Sequence, residues 1–236
     1  MIRFRSILFG GVLVLALGGI SFAQDFTPRV GVAGNISVNL PVLGLRTWFT
    51  QAPQFGVNIV YHRHARIEVE YEYHHARFDG GTLEDAEFMW APTGTTDLQS
   101  YKSPNAKSKM RFHSFLVNGV FFFGKQLNDQ KARPYFTFGS GMYHYRTTET
   151  GLIFPGQTGN SLNTSIVLES DGDVRTTVGI NFGLGVAFYT SDRFALDLRG
   201  RYHIIIGQLR PMEAWGLKQV FPFHALDLGI RVKTYF

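Results

Sequence analysis

The chain has 236 residues, rich in Phe, Tyr and Gly and only 17% charged, which suits one sheet-rich domain with an apolar exterior. It has no Cys, which excludes disulfides, thiol nucleophiles and Cys-based metal centres. Its net charge of +5 falls to +3 without Arg3 and Arg5, and it carries no basic run or nucleic-acid motif, so no nucleic-acid partner is expected.

Residues 1–23 read as a cleavable secretory signal. Arg3 and Arg5 make a positive start. Residues 7–20 form an uncharged apolar run of roughly 14, short of the ~20 that a membrane-spanning helix needs. Ser21-Phe22-Ala23 offers small residues at the two positions that a signal peptidase reads, so the mature domain is expected at 24–236.

From there the pattern has a period of two. Val30, Val32, Gly34, Ile36, Val38 and Leu40 alternate with small and polar residues, a first strand. A loop at 41–54 follows, then a second strand marked by Phe55, Val57, Ile59 and Tyr61, and a tight turn at 62–66. The third strand sets Ile67, Val69, Tyr71 and Tyr73 against Glu68, Glu70, Glu72 and His74. Residues 78–109 show no strand pattern. A fourth strand at 110–123 turns Ser114 and Asn118 one way and Phe115, Val117, Phe121 and Phe123 the other. Pro134 opens a fifth strand at 135–145. After a long segment at 146–175, Val178 to Phe188 alternate with Gly179, Asn181, Gly183, Gly185 and Ala187. A short turn at 190–193 leads to a seventh strand, with Asp197, Arg199, Arg201 and His203 on one face. A last long segment at 207–222 precedes an eighth strand at 226–236. There Leu226, Leu228, Ile230 and Val232 oppose Asp227, Gly229, Arg231 and Lys233.

Eight strands result, and their connections alternate long and short throughout. That is the plan of an even-stranded, antiparallel up-and-down transmembrane β-barrel. The facing agrees. An eight-stranded interior is just wide enough to be filled by side chains. The Gly-, Ser- and Asn-rich face with its few long charges suits that inside, and the bulky face suits lipid. Eight strands also build soluble ligand barrels, but those would carry the bulky face inward and too little charge outward. Two aromatic girdles are expected. Tyr61, Phe121, Phe123, Phe188, Phe194 and Phe236 would mark one rim, and Tyr71, Tyr73, Tyr143, Tyr145, Tyr202 and Phe223 the other.

The segment Arg133-Pro134-Tyr135-Phe136-Thr137-Phe138-Gly139-Ser140-Gly141 resembles the fifth-strand opening of the small outer-membrane β-barrel family, the eight-stranded barrels of the OmpA and OmpX type. Residues 181–189, followed by Ser191-Asp192-Arg193, resemble that family's sixth strand and turn. The terminal Phe236, with Asp227, Gly229 and Val232 before it, resembles the signal that such proteins present to the barrel-assembly machinery. Thr234 departs from it, standing where an apolar residue is usual. The resemblance implies residence in the bacterial outer membrane among lipids and lipopolysaccharide, and assembly by that machinery. A monomer without cofactor is expected.

Three constellations are candidates for function. Glu68, Glu70 and Glu72 on the third strand face Asp197, Arg199 and Arg201 on the seventh, with Asp227, Arg231 and Lys233 beside them on the eighth. Unpaired charges in a narrow lumen are costly, so a paired network that plugs the lumen is expected. A small passive pore is the alternative. His74 and His203, with His113 or His144, could meet at the outer mouth, and His62 and His64 flank a turn. These are read as rim histidines rather than a metal site. No His-Ser-acid arrangement stands out, which leaves a membrane-embedded lipid-modifying enzyme in third place. Phe88-Met89-Trp90, Leu152-Ile153-Phe154 and Trp215-Gly216-Leu217 are apolar clusters on external loops. They pack on one another or on lipopolysaccharide, or they contact an extracellular ligand. The reading is therefore a structural barrel, or one with a binding or adhesion role carried by its loops.

Overall fold

A strand with only one neighbour leaves a row of backbone N–H and C=O groups unpaired within the sheet. Here the chain solves this by closing the sheet. A computed structural model describes residues 28–80, 87–123, 131–169, 171–209 and 219–236. The predicted signal at 1–23 and the Trp215-Gly216-Leu217 cluster lie outside the described residues. Among the described residues ten strands run in chain order: β1 (Arg29–Val42), β2 (Ala52–His64), β3 (Ile67–Asp79), β4 (Glu87–Trp90), β5 (Gln99–Lys102), β6 (Lys107–Phe122), β7 (Ala132–Thr150), β8 (Asp171–Ser191), β9 (Phe194–Ile205) and β10 (Phe223–Tyr235). Eight of them form a closed antiparallel barrel in the order β1-β10-β9-β8-β7-β6-β3-β2. Strand β10 closes on β1, with its register running from Gly31↔Tyr235 to Val42↔His224. The last strand therefore has no free edge.

The period of two sorts the strands of the barrel. Ile36, Val57 and Leu184 are 65%, 63% and 64% exposed, whereas Asn118, Asn181 and Glu70 are fully buried. Leu228, Ile230 and Val232 point out, and Asp227, Arg231 and Lys233 point in.

Four expectations need correction. Residues 78–109 are not strand-free: β4 and β5 pair as a hairpin from Glu87↔Lys102 to Trp90↔Gln99. Short strands with one apolar face do not stand out when polar residues surround them. Strands β7 and β8 also run well past 145 and begin well before 178, pairing up to Glu149↔Asp171. Their outer ends are rich in Thr and charge, so apolar alternation does not trace them. Tyr143, Tyr145 and Phe223 are not in a girdle but are buried inside. The expected outer-mouth histidines also separate: His74 and His203 are buried inside, and His113 and His144 lie on the other face of the wall.

The interior has three layers, and the one at the loop end is apolar. At the turn end, Phe122, Tyr135, Tyr189 and Tyr235 form an aromatic floor with Ala33, Val60 and Ala187. The Arg133 guanidinium sits 4.5 Å over the Phe122 ring, a cation–π contact. The middle layer is ionic. At the loop end, a 3-10 helix at Leu43–Thr47 brings Leu45, Trp48 and Phe49 into an apolar core with Phe78, Phe112, Tyr143, Tyr145 and Phe223. Ser108 Oγ donates to the Trp48 carbonyl at 2.9 Å, and Thr50 N–H to the Asp79 carbonyl at 2.9 Å. The β1–β2 connection is thereby pinned as a stopper.

Candidate functional site: the charged lumen

Three inward glutamates on one strand repel each other unless cations are brought to them. The barrel order brings them. Strand β9 lies four places from β3 in either direction round the wall, so the two strands face each other across the lumen. Strand β10 lies beside β9 and sets Arg201 opposite Asp227, and Asp197 opposite Arg231, as registered neighbours of opposite sign.

The nine residues singled out in sequence meet in this layer. Arg199 Nη1 lies 2.7 Å from Glu70 Oε2 and 3.0 Å from Glu72 Oε1. Arg201 spans Glu72 Oε2 at 2.7 Å and Asp227 Oδ2 at 3.0 Å. Arg231 takes Glu70 Oε2 at 2.8 Å and Asp197 Oδ2 at 2.6 Å, one guanidinium nitrogen to each. Lys233 Nζ reaches Glu70 at 2.9 Å and Asp197 at 3.1 Å, and also pairs with Glu68. Five carboxylates against four cations leave one negative charge, and buried Arg133 at the floor brings the sum to zero. Charge-assisted pairs of this geometry are the strong kind, and they act against the desolvation of the buried charges.

Neutral groups also join the layer; of these, the sequence marks His74 as a rim histidine and does not assign Tyr235, Tyr135, Asn118 or Gln54 to the network. Tyr235 Oη donates to Glu68 Oε2 at 2.8 Å. Tyr135 Oη donates to Asp197 and accepts from Arg199 Nε at 2.8 Å. Asn118 Nδ2 donates to Glu72 Oε1 at 2.8 Å. His74 Nε2 lies 2.9 Å from Glu72, and Gln54 Nε2 lies 3.1 Å from His74 Nδ1. A tautomer with the proton on Nε2 satisfies both contacts. Their inward facing follows from strand alternation, but their contacts depend on which strands face each other. Gly185 gives Tyr135 its seat: a Cβ there would overlap the Tyr135 ring and come within 2.7 Å of the Leu198 carbonyl.

The four residues read from the sequence as an assembly signal divide. Asp227 belongs to the ionic layer, Gly229 lies against Ser37 of β1, and Val232 faces outward. Phe236 is 79% exposed, held by its N–H donating to the Val30 carbonyl at 2.8 Å. Beyond the wall, Phe88, Trp90 and Ile153 pack together with Tyr101 and Leu162. Trp90 Nε1 donates to the Gln157 carbonyl at 2.8 Å. Leu152 belongs instead to the apolar stopper. Among the described residues no group of three or more His, Asp or Glu is placed to hold a metal ion.

The outside of the barrel decides its solvent. Large apolar side chains are exposed on all eight barrel strands, and the nine-residue ionic layer is within. A closed sheet with that polarity has lipid around it. The chain is a small transmembrane β-barrel of the outer-membrane type. Its short connections are the periplasmic ones and its long connections the external ones. No protein-family model matches the chain, and no curated protein matches it in sequence. Among solved structures it is similar to Neisserial surface protein A, at 15% identity over 89% of this chain and 97% of that one, with a TM-score of 0.46. It is similar to the outer membrane protease OmpT of Escherichia coli, at 8% identity over 92% and 99%, TM-score 0.46. It is also similar to Ail, the attachment invasion locus protein of Yersinia pestis, solved with the heparin analogue sucrose octasulfate, at 13% identity over 87% and 97%, TM-score 0.41. At such identities the likeness is one of fold alone.

Proposed function

We propose that this protein is a non-conducting outer-membrane barrel with a structural role and a binding surface on its external loops. The observation that carries the first half is the direct contact of Glu70 and Glu72 with Arg199, Arg201 and Arg231 across the lumen, at 2.7–3.0 Å. Contacts that short leave no room for a hydrated ion between the walls. Floor and stopper close the lumen again on either side. The loop platform supports the second half. The β4–β5 hairpin packs on the β7–β8 connection through a small core of its own, while Met89 and Phe154 stay 56% and 41% exposed. A rigid platform with apolar points is suited to contact another molecule.

Planar-bilayer recording of the full-length protein tests the closed lumen. Silence, or rare brief openings, is the expected record. Large steady channels would overturn it.

A further inference from the structure

The outward face of β3, β6 and β7 does not stay apolar up to the external rim. Its residues lie in straight cross-strand rows. Tyr73, Phe115 and Met142 form one row. His75, His113 and His144 form the next, with ring centroids 4.6 Å apart for the first pair and 6.2 Å for the second. Tyr73 Oη lies 2.8 Å from His113 Nδ1 and ties the two rows together. Arg77, Arg111 and Arg146 form the third row, all three exposed. Lys109 follows on β6, registered with Asp79.

Going outward, the wall therefore changes from aromatic to imidazole to guanidinium over about 13 Å, four residues at ~3.3 Å each. Arginine pointing straight into hydrocarbon is expensive. The Arg row thus marks where acyl chains end and headgroups begin. Among the described residues no carboxylate pairs with these three arginines. The arginine row is also one-sided. Toward the same rim, β9 presents Ile204, β1 presents Leu40 and Val42, and β10 presents His224, 2.9 Å from the Tyr202 hydroxyl. A tyrosine–histidine pair therefore recurs across the barrel, but among the described residues the row of three outward arginines is found on β3, β6 and β7 alone.

We propose that this face is a discrete binding site for a phosphorylated glycolipid of the outer leaflet, with Arg77, Arg111 and Arg146 holding its phosphates and Phe115 and Met142 lying along its acyl chains. Three guanidinium forks on adjacent strands, ~4.8 Å apart, cover about 10 Å. Each fork fits a phosphate through two parallel N–H donors, which a lysine does not reproduce. The histidine row supplies ring faces and N–H groups where sugar meets acyl chain. The site rests on the barrel being in the outer membrane and is independent of whether the lumen conducts.

The test is native mass spectrometry of the full chain in phosphatidylcholine nanodiscs containing bis-phosphorylated lipid A, dephosphorylated lipid A or phosphatidylglycerol. The wild type is expected to retain lipid A as a single bound molecule. Retention should fall by about tenfold or more in R111Q/R146Q and with dephosphorylated lipid A, as charge-assisted contacts are removed. Phosphatidylglycerol should not be enriched. Equal retention of the dephosphorylated form, or equal enrichment of phosphatidylglycerol, would overturn the proposal, and neither comparison needs a variant to fold. Unchanged lipid A retention by a folded R111Q/R146Q protein would also overturn it.

Discussion

Arg199 on β9 and Glu70 on β3 meet across the barrel at 2.7 Å, tying together two strands that are not neighbours in the sheet. Glu70 also holds Arg231 at 2.8 Å and Lys233 at 2.9 Å. It is thus the carboxylate through which three cations from two strands are neutralised. Glu70→Gln should destabilise the barrel by about 3–5 kcal/mol, the range for breaking a buried ion pair from one side. Urea titration of the folded fraction, followed by the heat-dependent shift in gel mobility, would measure it. Conductance should change little. A variant of normal stability that conducts steadily would contradict the role assigned to this residue.

In the proposed closed lumen, the stopper and the ionic layer are two separate barriers. Trp48 is 1% exposed within the apolar outer core. Trp48→Ala should leave a cavity and cost about 3–5 kcal/mol. The ionic layer beneath is untouched, so bilayer recordings should remain silent. Channels opening in this variant alone would make the stopper the true gate.

Gly185 leaves the space that the Tyr135 ring fills. Gly185→Ala sets a methyl group against the Tyr135 ring and should cost about 1–3 kcal/mol by overpacking. Combined with Tyr135→Leu, the two losses should be less than additive, because the shorter side chain removes the overlap. Strict additivity in urea titrations would show that the two positions do not touch.

Phe236 contributes one backbone hydrogen bond to the finished barrel, and its ring is 79% exposed. Deleting it should slow assembly and leave the heat-dependent mobility shift of the assembled protein unchanged. Pulse-chase labelling would follow the rate of folding into the outer membrane. Wild-type rate and yield would remove the basis for an assembly signal at this residue.

The loop platform should fail without the barrel failing. Trp90→Ala removes both the packing of the outer cluster and the bond to the Gln157 carbonyl. External protease should then cut residues 87–102 faster on intact cells, while the urea midpoint of the barrel stays within error. A matching fall in that midpoint would mean that the platform braces the wall.

Most of the wall was legible in the residues. Val30 to Leu40 against Asn35, Ser37 and Asn39, or Leu228, Ile230 and Val232 against Asp227, Arg231 and Lys233, carry their facing in the order of residues alone. Side chains alternate on any strand, whatever its neighbours. The sign of each inward residue, and the long and short connections, were legible for the same reason. The partnerships were not. That Arg199 meets Glu70 and Glu72, rather than Asp197 nearby on its own strand, depends on β9 standing opposite β3, which closure of the sheet decides. Tyr143, Tyr145 and Phe223 read as girdle residues because an aromatic near a strand end suits either face. Only the apolar stopper, drawn in by the turn at Leu43–Thr47, makes the inner side the favourable one. Arg77, Arg111 and Arg146 lie far apart in the chain and carry no common motif, and the strand register alone brings them side by side. Local alternation depends on a single strand, and the amino-acid order determined it. Contacts across the lumen and along a row depend on which strands are neighbours, and only the tertiary structure decided them.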